Sequence, residues 1–239
     1  KTPPRPPVLM AKLAAGKRRD WAVVPDDAKN LMRWMNRELK VNFSCTNMPL
    51  SAVPATAAEI PVLYRSGQYA FELTDSQRAR LRRYLLSGGT LILNTCTGHP
   101  DFARSALREM QRLIPERPPV RLPMDHPIFH SYYDIGPEQI NYRPFAHKAG
   151  AKDGRPDIIG IDVECRTAVL FFRWDMSTGW NNMTDEAYQY NLGYDIATSK
   201  LMGANLMAYV TTEHNTAVPL SKALAYVDPD KQKAGKLFI

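Results

Sequence analysis

Cysteine is scarce in this chain. The three in 239 residues, Cys45, Cys96 and Cys165, lie far apart, and no C-x-x-C or C-x-x-x-H pair occurs. Their spacing indicates neither a zinc module nor a disulfide framework, and leaves room for one disulfide. Long apolar runs are lacking as well. No window approaches the ~20 uninterrupted apolar residues of a membrane span, and the most apolar stretch, TAVLFFRW (167–174), has the length of a strand. Internal repeats are absent, so the chain does not read as a repeat array. Acid excess is absent too: the formal net charge is +7 and the sequence pI is near 9.3. The basic residues cluster as GKRRD (16–20), QRARLRRY (77–84) and RSALREMQRLIPERPPVR (104–121). Such runs are usually solvated helix faces, and no nucleic-acid module accompanies them. Nucleic acid is therefore an unlikely partner, and an acidic partner or surface fits better.

What is present suits an ordinary globular protein. A hydrophobic content of 44% over this length supports a sizeable core. VLMAKLA (8–14) reads as a first strand after a proline-rich arm. PDDAKNLMRWMNRELK (25–40) follows with Pro25 and two acids at a helix start, and with Ala28, Leu31, Met32, Met35 and Leu39 at helical spacing. VNFSC (41–45) and PVLYRSG (61–67) read as strands. ELTDSQRARLRRYLLSGGTLIL (72–93) carries a capping box at Thr74 and Gln77, a buried stripe of Leu81, Tyr84 and Leu85, and Gly88 and Gly89 to end the helix before a strand over 90–95. A further helix is expected at about 101–113, stopping before Pro115. Residues 115–156 are crowded with Pro, Gly, His and Tyr and read as largely irregular. DIIGIDV (157–163) and TAVLFFRW read as a hairpin, and a last helix is expected over 194–212. Strand, helix and strand within ~35 residues is the length of a crossover in a parallel sheet. The expectation is one α/β domain over 1–227 with an open, mostly parallel sheet and an added hairpin, followed by a polar tail over 228–239. Ligands in such folds bind beyond the carboxyl ends of the strands.

One of those ends carries a thiol. LILNTCTGHPDF (91–102) reads as strand, tight turn and helix with Cys96 at the turn. A nucleophile is often placed there, because the turn exposes it and the helix offers free N–H groups to an oxyanion. The alternative is a half-buried Cys acting as a small hydrophobe.

YRSG (64–67), LTDSQRARLRRYLLSGGTLIL (73–93), DHPIFHSYYDI (125–135) and RTAVLFFRWDMSTGW (166–180) together resemble the bacterial family catalogued as domain of unknown function 4159. The resemblance covers roughly residues 60–212. It implies a flavodoxin-like three-layer sandwich, related in fold to class I glutamine amidotransferases and to the ThuA-like proteins, and it implies no established activity. The turn NTCTGHP resembles the amidotransferase elbow G-x-C-x-G-H-Q: Cys96, Gly98 and His99 match, the first Gly is missing, and Pro100 replaces Gln. The amidotransferases take their general base from a late His-x-Glu. None of His126, His130, His147 and His214 is followed two positions on by Glu, so the resemblance does not carry over the base.

Three sets of site residues follow. A thiol mechanism pairs Cys96 with His126 or His130, oriented by Asp125 or Asp134. A transition-metal site, the only cofactor suggested, uses His99, Asp101, His126 and His130, donors that suit zinc, iron or copper. A ligand site in the strand-end crevice draws on Gly67, Thr97, Gly98, His99, Asp101, Arg166 and Trp180. Arg166 and Arg173 are expected to hold either an anionic ligand group or a structural carboxylate. The aromatic loops supply Tyr132, Tyr133, Trp174, Trp180, Tyr188 and Tyr190, a lining that suits carbohydrate or protein partners. The preferred expectation is a non-catalytic module that binds a protein, small molecule or carbohydrate in the crevice; self-association is open. The alternatives are a Cys96 hydrolase or amidotransferase-type enzyme and a His/Asp metal-binding protein. Lys1 in place of Met, followed by TPPRPPV, reads as a processed start. Together with the family's frequent export signals it favours a periplasmic or secreted location over the cytoplasm.

Overall fold

Val62–Gly67 and Thr90–Thr95 are buried at every position, on both faces. Only central strands of a sheet covered on two sides read that way. They are β3 and β4 in a computed structural model that describes residues 8–186 and 189–225, with the side chains of 9–16, 19–186 and 189–212. The other strands are β1 (Val8–Ala14), β2 (Ser44–Pro49), β5 (Val120–Arg121), β6 (Ile158–Val163) and β7 (Arg166–Phe172). Their order across the seven-stranded sheet is β2-β1-β3-β4-β7-β6-β5. From β2 to β7 neighbours run parallel, with Met10 beside Val62, Val62 beside Thr90 and Leu91 beside Val169. β6 is antiparallel to β7 and β5 antiparallel to β6.

The alternation of β-strand side chains divides the core into two layers. On one face Met10, Tyr64, Ile92, Leu170 and Phe172 pack with residues of α1 (Asp27–Glu38), α5 (Ser177–Trp180) and α6 (Ile196–Ala225). On the other, Leu13, Leu63, Leu91, Leu93 and Phe171 pack with α2 (Asp75–Leu86) and α3 (Pro100–Leu113). A short α4 (Pro144–Lys148) joins the first layer through Ala146. This is the open, mostly parallel sheet that the alternating elements predict, and the flavodoxin-like α/β sandwich that the resemblance implies.

Local chemistry explains the boundaries of α2. Thr74 Oγ1 accepts from the Gln77 amide at 3.3 Å, and Gln77 Oε1 accepts from the Thr74 amide at 2.9 Å, closing the expected capping box. After the helix, Gly88 takes a φ of 103°, which only glycine adopts easily. At Gly89 a Cβ would collide with the Tyr84 ring, so the turn brings the helix close over the strand entry.

Three boundaries differ from expectation. The second strand begins at Ser44, because Phe43 N–H and C=O are taken by the Asn36 side chain at 2.9 Å each and leave the ladder. The segment 115–156 contributes β5, a two-residue edge strand. The last helix continues to Ala225, past the expected end. The polar tail from Asp228 lies outside the described residues.

One ion pair sits inside the first layer. Lys12, on β1, donates from Nζ to Asp27 Oδ1 at 2.5 Å and to the Val24 carbonyl at 2.7 Å, and Tyr64 Oη donates to Asp27 Oδ2 at 2.9 Å. Both charged ends are buried, and each has the partners a buried charge requires.

Candidate functional site

The carboxyl edge of the parallel strands holds two distinct features. The first is the turn after β4. Cys96 to Gly98 form a single 3-10 turn, and His99 caps α3, its Nδ1 accepting from the Asp101 amide at 3.4 Å. The non-glycine residue of the turn with left-handed φ is Thr97, at 53°, one position beyond the thiol. A strained elbow raises the residue that carries the strain, so here the Thr97 side chain stands out of the turn, and its Oγ1 accepts from Gln68 Nε2 at 2.8 Å. Cys96 points inward and is 1% exposed.

The surroundings of the sulfur are polar but not catalytic. Asp175, just after β7, accepts from Asn94 Nδ2 at 2.8 Å, from the Ser177 amide at 2.8 Å and hydroxyl at 2.6 Å, and from the Thr178 hydroxyl at 2.8 Å. Ser177 Oγ also lies 3.9 Å from Cys96 Sγ. Burial, and then the nearby Asp175 charge, push the thiol well above its ordinary range, while the Ser177 hydroxyl pulls weakly the other way. A thiolate needs the opposite environment. Across the top, Leu192 N–H donates to the Thr97 carbonyl at 3.1 Å, and a Cβ at Gly98 would collide with Leu192. The 191–195 segment thus closes the turn from outside.

The expected partners of Cys96 are at the other end of the sheet. His126 Nε2 lies 3.0 Å from Thr167 Oγ1, and Thr167 is at the start of β7. Asn94 is level with Phe172, so the rise of β7 separates His126 from Cys96 by about 20 Å. His130 bonds Asp134 at 2.5 Å and the Met124 carbonyl at 2.9 Å, beside the same 3-10 turn as His126. The catalytic set Cys96, His126 and His130 is therefore not assembled. The metal set fails for the same reason: His99 and Asp101 stand at the carboxyl edge, His126 and His130 at the amino edge. Among the described residues no group of three or more His, Cys, Asp or Glu side chains could hold a metal ion.

Two expected ligand residues are structural. Arg166 donates to the Gly89 carbonyl at 2.9 Å and to the Leu85 carbonyl at 2.5 Å, tying β7 to the end of α2 far from the strand-end rim. Trp180 is buried, donates from Nε1 to the Ser199 carbonyl at 2.8 Å and packs on Tyr64 with ring centroids 5.5 Å apart. Arg173 stacks on Trp174 and approaches Asp157 at 3.4 Å, the structural alternative. Of the aromatic loops only Tyr132 and Tyr190 are large exposed side chains, Trp174 and Trp180 are buried, and Tyr188 falls outside the described residues. All three cysteines are free.

The second feature is a cleft of about 600 Å³ where β1 and β3 end. The chain leaves β1 toward β2 with α1 on one face, and leaves β3 toward β4 with α2 on the other, so the two connections diverge and open a crevice between the neighbouring strands. This is the switch point where doubly wound sheets bind ligands. Ala15 and Gly16 form one lip, Leu50, Phe71 and Leu73 supply apolar walls, and Arg65 lies at the base. Gly67 ends β3 here. A side chain at Gly67 would collide with Asp20 and Phe102, so it serves packing. Of the ligand set, Gly67, Thr97, Gly98, His99 and Asp101 do lie on the carboxyl edge, with His99 and Asp101 partly exposed.

Arg65 was not among the expected site residues. The signal was a cation in the middle of VLYRSG, a segment otherwise fit for a fully buried strand. Asn94 and Asp175 were also missed, since their pairing joins residues 81 positions apart.

An open, mostly parallel seven-stranded sheet covered by helices on both faces defines the class: a doubly wound, flavodoxin-like α/β sandwich. Within that class, residues 9–211 match the model of the family described as Domain of unknown function (DUF4159), and the chain belongs to that family. No curated protein matches it. Among the described residues no helix is long and apolar enough to cross a membrane.

Proposed function

We propose that this chain is a non-catalytic ligand-binding module on an amidotransferase-like scaffold, and that it works through the cleft at the ends of β1 and β3. The observation that carries this reading is the state of Cys96. Its sulfur is sealed between Ser177, Asp175 and the turn, its proton is held tightly, and the imidazoles that would accept the proton stand about 20 Å away. Nucleophilic catalysis requires a base within hydrogen-bond reach or a path for substrate to the sulfur. Neither is offered. The missing first glycine of the elbow and the missing His-x-Glu agree with a scaffold that keeps the shape without the chemistry.

Alkylation of the native protein near neutral pH, mapped by peptide mass spectrometry, tests the proposal. Cys165 is exposed and Cys45 half-buried, and both are expected to label, Cys165 first. Cys96 is expected to label only in denaturant. Selective labelling of native Cys96 would overturn the reading and restore the thiol enzyme.

A further inference from the structure

Arg65 is a buried charge with little compensation. It is 3% exposed. Its guanidinium lies flat over Phe71, with Cζ 4.0 Å from the ring centroid, and faces Phe102 at 5.7 Å. Stacking uses the face of the group and leaves its five N–H donors pointing outward in the plane. Buried Nε has no hydrogen-bond partner among the described residues. The nearest compensating acid is Asp20. It acts on Arg65 only through space, since Oδ1 accepts from the amides of Gln68 at 2.8 Å and Tyr69 at 3.3 Å, and no ion pair with Arg65 forms. Burial pulls the Arg65 pKa down to about 10, against the upward pull of Asp20.

A buried cation without partners is costly, and such a group is held only where something answers it. The cleft of about 600 Å³ at the ends of β1 and β3 is lined by this arginine. Its two apolar walls, Leu50 with Leu73 and Phe71, would cover a hydrocarbon or ring body, and its volume is in the range of small-molecule sites. The guanidinium fork matches a planar oxyanion through two parallel bonds. The charge balance then selects among oxyanions. One cation stands at the base, with the Asp20 carboxylate close by. At the mouth Arg108 donates to the Phe71 carbonyl at 3.2 Å, and Glu72 is turned to Arg112 at 2.7 Å. With Asp20 and Glu72 set against Arg65 and Arg108, the formal charge around the cleft is close to zero, so a monoanion meets less repulsion there than a dianion.

We infer that the switch-point cleft binds the carboxylate of a small organic acid with an apolar body, held end-on by Arg65 above Phe71. The inference rests on the reading of the chain as a binding module and names that module's ligand class.

The test follows the arginine Nε–Hε resonance of Arg65 by NMR in the whole protein, assigned through its bonded network and by its disappearance in Arg65→Lys. Formate and benzoate are titrated, with formamide and benzamide as neutral counterparts, chloride at equal ionic strength, and inorganic phosphate as the competing oxyanion. Both carboxylates are expected to shift the Arg65 signal saturably, benzoate at lower concentration because the walls cover its ring. The amides and chloride are expected to leave it in place. In Arg65→Lys, which keeps the charge and loses the fork, benzoate affinity is expected to fall about ten- to hundredfold. If Arg65→Lys does not fold, the wild-type titration alone decides. An Arg65 signal indifferent to both carboxylates, or one moved by phosphate alone, overturns the inference. The two readings fail separately: native labelling of Cys96 removes the module but not a carboxylate seen at Arg65, and an indifferent Arg65 leaves the sealed thiol as it is.

Discussion

Removing the Asp175 carboxylate is the sharpest perturbation of the strand-end rim. Four hydrogen bonds of 2.8 Å or less converge on it, from Asn94, from the amide and hydroxyl of Ser177, and from the Thr178 hydroxyl. Bonds to an ionised acceptor contribute roughly 1.5–3 kcal/mol each when removed singly, so four independent losses would total about 6–12 kcal/mol. They are not independent. The Ser177 and Thr178 hydroxyls can turn to other acceptors, whereas the Asn94 amide and the Ser177 N–H are fixed by β4 and by the first turn of α5. Two fixed donors left orphaned, plus the small cavity, put Asp175→Ala at about 4 kcal/mol of destabilisation. Asp175→Asn keeps the volume but turns one donor group against other donors, and about 2–3 kcal/mol is expected. Urea denaturation, with the slope checked for constancy, measures both. Ser177→Ala serves as the control and is expected to cost about 1–2 kcal/mol, since it removes one bond and orphans nothing charged. If Asp175→Ala costs less than about 1.5 kcal/mol, the knot does not hold the rim and the account of a rigid, sealed turn is wrong.

Two further outcomes follow from the same edge and from its opposite. Gly98 sits at a φ of 74° under Leu192; Gly98→Ala is expected to cost about 2–4 kcal/mol and to speed amide exchange at Leu192 and Tyr194, whereas unchanged exchange there would show that Leu192 does not seal the turn. At the amino edge, burial lowers the His126 pKa below its ordinary 6.5, while the hydrogen bond to Asp134 raises that of His130 above 6.5. Because the folded chain prefers neutral His126, the stability this residue supports is present above pH 6.5 and is lost as pH falls through 6.5 toward its folded pKa. His130 has the opposite sign: its contribution is present below 6.5 and fades as pH rises through the folded value. NMR titration of the two imidazoles checks the order of the midpoints, and a His126 midpoint above that of His130 contradicts it.

The architecture was legible because its determinants are local. Thr74 and Gln77 announce a helix start within four residues, Gly88 and Gly89 announce its end, and the continuous apolar run at Leu91 to Leu93 marks a strand covered on both faces. The hairpin of β6 and β7 was legible from two apolar runs with a three-residue connection. The site was less so. NTCTGHP identifies a turn, but which way the thiol faces depends on Asp175 and Leu192, some 80 to 95 positions away in the chain. His126 and His130 come with Asp125 and Asp134, a plausible relay in sequence, yet nothing local states that their loop returns to the amino edge. Arg65 left a trace, a lone cation inside a strand, as did Lys12 in VLMAKLA. The difference between them lies in their surroundings: Lys12 meets Asp27, and Arg65 meets only aromatic faces.

The reversal of β6 puts the tight connection at Glu164 and Cys165 on the amino rim, opposite the cleft, and of the three thiols Cys165 is the exposed one. A dye or a tether joined to that sulfur would leave the mouth beside Gly16 unobstructed. With Cys45 replaced by serine, molecules immobilised this way would present the same open end to the passing solution, so weak acids could be screened on one surface.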